Sequence, residues 1–220
     1  MNVNMRAVAM KLLSLLIVLS SAAVQAQTNS TDCSSFQWPY DEFTEKLKIS
    51  DECMEVLAGQ WTESQNSAIL KNLNRLVDIF KKNRNAGCKD ATPKECPAPA
   101  VQSKGGLVCV SAKGKRICKP MCNKGYDFGF LRISRLYEEC SNATSYKWTT
   151  QYVGGNKLAI CNKSNIQIAG ASSAYFPVNR DCLTTKSNST LEEEIINTFE
   201  DELKAKNIQG PYTQRCLMCG

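Results

Sequence analysis

The chain has 220 residues, 43% of them hydrophobic and 22% charged, with 27 basic against 21 acidic residues and a formal charge of +6. The cations are spread along the length, which excludes the dense basic stripe interleaved with aromatics that a nucleic-acid binder presents. Histidine is absent, so neither a Ser-His-Asp nor a Cys-His catalytic centre can be built, and no cofactor is expected.

The first residues have the three zones of an export signal: a basic stretch with Arg6 and Lys11, an apolar run from Leu12 to Leu19, and small residues. Val24 and Ala26 occupy the two small positions that signal peptidase needs, so residues 1–26 are expected to be a signal peptide. The apolar run is about ten residues, half of what a membrane-spanning helix requires. No other stretch is long and apolar enough to span, and Cys216–Gly220 offers no hydrophobic tail for a lipid anchor. Removing Arg6 and Lys11 leaves 25 basic residues against 21 acidic ones, a mature charge of +4. All twelve cysteines lie beyond Ala26, an even count that reads as a disulfide framework in an exported chain. That compartment, with the lack of histidine, also disfavours zinc. Asn29, Asn142, Asn162 and Asn188 each open an Asn-x-Ser/Thr glycosylation tripeptide.

Residues 27–95 form a first block containing Cys33, Cys53 and Cys88. Asp51 can cap a short helix through Gly59. From Thr62 to Lys82, Ile69, Leu73, Leu76, Val77 and Phe80 recur at helical spacing, predicting an amphipathic helix. Cys88 to Pro99, with three prolines and two cysteines, reads as an extended, stapled linker.

Residues 96–161 change character to Gly-containing turns and Val and Ile beside polar residues, which suggest short strands. Leu107–Val110 and Arg116–Cys118 flank Ala112–Lys115 and predict a hairpin that sets Cys109 across from Cys118 for pairing. The run Cys122-Asn-Lys-Gly-Tyr126-Asp-Phe128, followed by Cys140, Trp148 and Cys161, resembles the sushi, or complement control protein, module. That resemblance covers residues 96–161 and implies linkage of Cys96 to Cys140 and of Cys122 to Cys161. It also implies a small β unit, reliant on disulfides, used for extracellular recognition without a catalytic centre. The Cys109–Cys118 pair, the lack of Gly before Trp148 and the long Thr149–Ile160 segment depart from the ordinary module.

In residues 162–220 a helix is expected from Ser189 or Thr190 to about Asn207. Thr190 and Glu193 have the form of a capping box, and Leu191, Ile195, Phe199 and Leu203 recur every fourth residue. The two amphipathic helices are expected to cover each other's stripes. Cys216 and Cys219 have the spacing of an exchange motif but follow a Gly-Pro break with no strand before them, so two separate structural bridges are expected, for instance one to Cys182 and one into the first block; the six cysteines outside residues 96–161 allow fifteen pairings, and the sequence does not choose among them. The fold expected is α+β: a small disulfide-rich, sushi-like β module flanked by N- and C-terminal amphipathic helices.

Candidate surfaces are few. Trp38, Pro39, Tyr40 and Phe43 form an aromatic patch, with core packing the commoner role for such a patch; Trp61 and Trp148 read as core. Lys113–Arg116 is the one basic cluster and the place to meet an acidic glycan or protein. The acidic runs Asp41-Glu42, Glu138-Glu139 and Glu192–Glu194 read as solvated faces. The expectation is a secreted, non-enzymatic protein whose partner is an extracellular protein or matrix component, with no metal site. A soluble defence or inhibitory factor is the alternative, and a thiol-disulfide oxidoreductase using Cys216 and Cys219 is a remote third.

Overall fold

The computed structural model describes residues 39–83, 88–101 and 103–220. The expected signal peptide, Asn29, Cys33 and Trp38 lie outside them. The chain divides into two units, 1–66 and 67–220.

In the first unit, helix α1 spans Tyr40–Gln60. It runs straight through Asp51, so the expected cap there is interior. The chain from Tyr40 to Ser50 holds neither Gly nor Pro. Its first turn carries Asp41 and Glu42, which suit the positive end of the helix, and Glu42 pairs with Lys46 one turn on. None of its residues is buried. Helix α2, Glu63–Asn83, starts in this unit and continues into the second. Thr62 and Gln65 cap it reciprocally: the Gln65 N–H donates to Thr62 Oγ1 at 3.3 Å and the Thr62 N–H to Gln65 Oε1 at 2.9 Å. The predicted stripe is present on α2, yet Leu73 and Phe80 are 46% and 58% exposed.

The second unit is built on a four-stranded antiparallel sheet in the order β4-β2-β1-β6. Its strands are β1 (Gly105–Ala112), β2 (Lys115–Cys122), β4 (Glu138–Ser141) and β6 (Thr213–Cys219). Lys113 and Gly114, both with positive φ, make the two-residue turn between β1 and β2, the geometry that matches strand twist. Pro120 lies beyond the last β2–β4 pair, where its missing N–H costs no bond to β4. A two-stranded ribbon joins β3 (Tyr126–Phe128) to β5 (Cys161–Lys163). The sheet thus takes three strands from residues 96–161 and its fourth from the C-terminal block.

Strand alternation sorts the side chains to two faces, and both are covered. Val108, Val110, Ile117, Met121 and Leu217 meet Ile196, Phe199 and Leu203 of helix α4, Ser189–Ala205. This corrects the expected helix pairing: the stripe of α4 is buried by the sheet. Its N-cap is Asn188, whose Oδ1 accepts from the N–H groups of Thr190 and Leu191, rather than Thr190. The short helix α3, Cys182–Lys186, precedes it, capped by Asp181. On the opposite face Leu107, Cys109, Cys118, Cys140, Cys216 and Met218 pack with Trp148 and Leu158 under the segment 88–101. The fold is a mixed helix and antiparallel-sheet structure, with five disulfides among the described residues.

Candidate binding cleft

Three of the buried charges of the second unit are satisfied from within. Lys119, on the α4 face of β2, is 1% exposed and donates to Glu202 Oε2 at 2.6 Å, while Glu202 also accepts from the Ser173 hydroxyl. Burial lowers the Lys119 pKa, and the Glu202 hydrogen bond and charge oppose that shift. Glu138 is 1% exposed and accepts from Arg132 at 2.7 Å, Arg135 at 2.6 Å and Thr149 Oγ1 at 2.9 Å, which pins the loop before β4. Asp127 on β3 accepts from the Tyr175 hydroxyl at 2.6 Å and from the N–H groups of Phe128, Ile168 and Ala169. Burial would raise its pKa, but those bonds outweigh it and hold the carboxyl below the usual range. Burial and the same bond push the Tyr175 hydroxyl up to about 12.

Arg116 on β2 is different. It is 2% exposed, and no carboxylate pairs with it among the described residues. Nη1 donates to the Gln214 carbonyl at 2.7 Å and to Ser111 Oγ at 3.3 Å; Nη2 meets only the sulfur of Cys216 at 3.2 Å, and Nε has no partner. The Gln214 carbonyl is available because β6 bulges: Cys109 and Ser111 of β1 face Cys216 and Thr213, with Gln214 at a positive φ between them. Burial without a counter-charge lowers the guanidinium pKa to about 10.

This guanidinium lines a cleft of about 570 Å³. Its sheet side includes Trp148 and Met218, its other wall Lys89, Pro93 and Lys94 from the segment 88–99. That segment is held by two disulfides and three hydrogen bonds, one of them from the Thr92 hydroxyl to Gln214 Oε1 at 3.1 Å. Cys88 is bonded to Cys216 and Cys96 to Cys140; the Thr92 carbonyl accepts from Ser111 Oγ, and the Pro97 carbonyl accepts from Trp148 Nε1. The expected stapled linker is therefore the roof of a cavity.

The other singled-out residues are distributed as follows. Cys109 is bonded to Cys118 and Cys122 to Cys161, and the C-terminal cysteines separate, Cys219 to Cys182 and Cys216 to Cys88. Contrary to the expectation of no strand there, Cys216 and Cys219 both lie on β6. Cys53 is exposed on α1 and has no disulfide partner among the described residues. Asn142, Asn162 and Asn188 are exposed. The basic cluster is dismantled: Lys113 is exposed, Lys115 pairs with Glu139 at 2.9 Å, and Arg116 is buried. Glu138 is likewise a buried clamp rather than a solvated acid. Trp148 is core at 3% exposure, Trp61 is half-buried, and Tyr40 is 80% exposed. Reading Arg116 as hairpin-tip charge missed its role, although its spacing of two from Cys118 places it on the disulfide face.

Among the described residues no helix is long and apolar enough to cross a membrane, and no group of three or more metal-ligating side chains is arranged to hold an ion. Comparison with known protein families, curated proteins and solved structures found no match.

Proposed function

We propose that this is a secreted, non-enzymatic binding protein of the extracellular space or matrix, built around a sushi-like module, whose recognition site is the cleft beneath residues 88–99. The observation that carries this reading is Arg116: a buried cation without a carboxylate, lining an open cavity, in a unit where Lys119, Glu138 and Asp127 are each satisfied internally. Burying a charge is costly unless something compensates it, and a ligand anion would do so. The five disulfides and the exposed Asn142, Asn162 and Asn188 are compatible with an oxidising secretory route.

The test is to express residues 1–220 in cultured animal cells and to follow the protein through medium, deposited matrix and cell fractions. We expect glycosylated protein outside the cell, extracted from matrix only by denaturant, with Cys216 and Cys219 oxidised. Retention inside the cell, or reduced Cys216 and Cys219 with insulin-reductase activity, would overturn the reading. Recovery entirely from the free medium would replace the matrix role with that of a soluble factor.

A further inference from the structure

The guanidinium of Arg116 is only half used. Nη1 donates to Gln214 and Ser111, which anchors one corner of the group, while the Nε–Nη2 edge has one weak sulfur contact and one donor with no partner. Two parallel N–H donors on one edge match the two oxygens of a carboxylate, and such paired, charge-assisted bonds are the strong ones. The cleft above is walled by Pro93 and Met218, whose side chains carry no donor, and by Trp148, whose indole N–H is already given to the Pro97 carbonyl; all three can cover an apolar body. Lys89 and Lys94 add positive charge at the cleft; Asp90, the one carboxylate lining it, is not a partner of Arg116. A cavity of about 570 Å³ is the size of a small-molecule or short-peptide site.

We infer that this cleft binds a monocarboxylate carried on an apolar body, the carboxylate taking the Nε–Nη2 edge of Arg116 and the body lying between Pro93, Trp148 and Met218. This deepens the reading of the cleft as a recognition site and rests on it. Because Arg116 is 2% exposed, binding involves a small turn of the guanidinium towards the cavity, with the Cys216 sulfur contact exchanged for carboxylate oxygens. A polyanionic glycan fits less well, since the walls are apolar and the two exposed lysines, Lys89 and Lys94, stand beside one buried cation rather than in an extended row. The same chemistry is available from two sources, a free aromatic or aliphatic acid and the C-terminus of a peptide ending in an apolar residue.

The experiment is isothermal titration calorimetry on the secreted, disulfide-intact full chain. One pair of probes is 4-phenylbutanoate and its primary amide. The other is the tripeptide acetyl-Gly-Pro-Leu with a free C-terminus and its C-terminal amide. We expect at least one carboxylate to bind and its amide to bind on the order of 10-fold to 100-fold more weakly, the loss that follows when a buried donor pair goes unmatched. Arg116→Lys, which keeps the charge but not the fork, is expected to lose most of that discrimination. Should Arg116 variants fail to be secreted, Ala91→Trp fills the cleft from the roof, leaves Arg116 in place, and is expected to abolish binding. Which pair shows the discrimination identifies the source. Amides binding as tightly as acids, no binding of either acid at millimolar concentration, or unchanged binding by Ala91→Trp would each overturn the inference. Matrix retention, measured separately, stands or falls on its own: a chain that is retained but ignores both acids keeps the recognition role and loses the carboxylate.

Discussion

Replacing Glu202 with glutamine tests how the buried charges of this fold are compensated. The Lys119 side chain is 2% exposed and that of Glu202 19%, at 2.6 Å. At an effective dielectric of about 20 the pair has roughly 6 kcal/mol of gross attraction, largely offset by the desolvation both groups have already suffered. Glu202→Gln keeps the desolvation of the lysine and removes its compensation. We expect a loss of about 3 kcal/mol, at the lower end for an orphaned buried charge because the glutamate site is partly wet. Lys119→Met removes the buried charge itself and leaves Glu202 with solvent and Ser173, so it is expected to stay within about 1 kcal/mol of wild type. Urea unfolding with disulfides intact measures both.

The pH dependence of that pair follows from the direction of the Lys119 shift. Burial lowers its pKa below the ordinary 10.5, and Glu202 restores part of that. In Glu202→Gln the folded value falls further. Between that value and 10.5 the unfolded chain then binds more protons than the folded one, so stability rises with pH and the deficit against wild type narrows on approach to 10.5. A deficit independent of pH, or Lys119→Met proving the more damaging change, would refute the account of Lys119 as a buried charge held by Glu202.

Three further outcomes are expected from the same unit. Gly106→Ala would place a Cβ 2.4 Å from Cys182 Sγ and 2.7 Å from the Met218 carbonyl, in a strand flanked on both edges; a loss of about 2–3 kcal/mol in urea unfolding, with poor secretion, is expected. Asp127→Asn turns an acceptor-only group into one that also presents donors to Tyr175 and three N–H groups, at a cost of about 2–3 kcal/mol at neutral pH. Because the folded pKa of Asp127 lies below the ordinary 3.8, the wild-type advantage is full above that pH and is lost as pH falls through the folded value, so thermal midpoints of the two proteins should converge in acid. Trp148→Phe removes the indole donor from the Pro97 carbonyl, and with it one tie of the roof; about 1–2 kcal/mol of stability and faster amide exchange across residues 96–101 are expected.

What could be read from the sequence was what is local. The β1–β2 turn sits where Lys113 and Gly114 supply two positive φ values, and eight paired positions then follow from the turn alone, Cys109 opposite Cys118 among them. The helical period of α2 and α4 was equally plain, because an apolar stripe repeats whatever covers it. The covering itself was not, and α4 turned out to lie on the sheet rather than on a second helix. The capping of α4 by Asn188 was hidden by a neighbouring Thr190 and Glu193 with the right spacing for a capping box.

The absent strand and the misplaced arginine have one physical origin. A strand buried on both faces does not alternate apolar with polar, so Thr213–Cys219, with Cys216 and Met218 turned one way and Leu217 and Cys219 the other, carries no period-two signal of its own. Without β6 the sheet would end at β1, and Arg116 would reach past its neighbour into solvent as ordinary hairpin charge. With β6 in place and bulged at Gln214, the guanidinium is caught between three strands and the stapled roof, fixed through Nη1 and unmatched along its other edge. The pairing of the C-terminal strand with β1 therefore buries that charge, and the Cys88–Cys216 disulfide, which ties the roof to the same strand, sets the cleft through which it can be met.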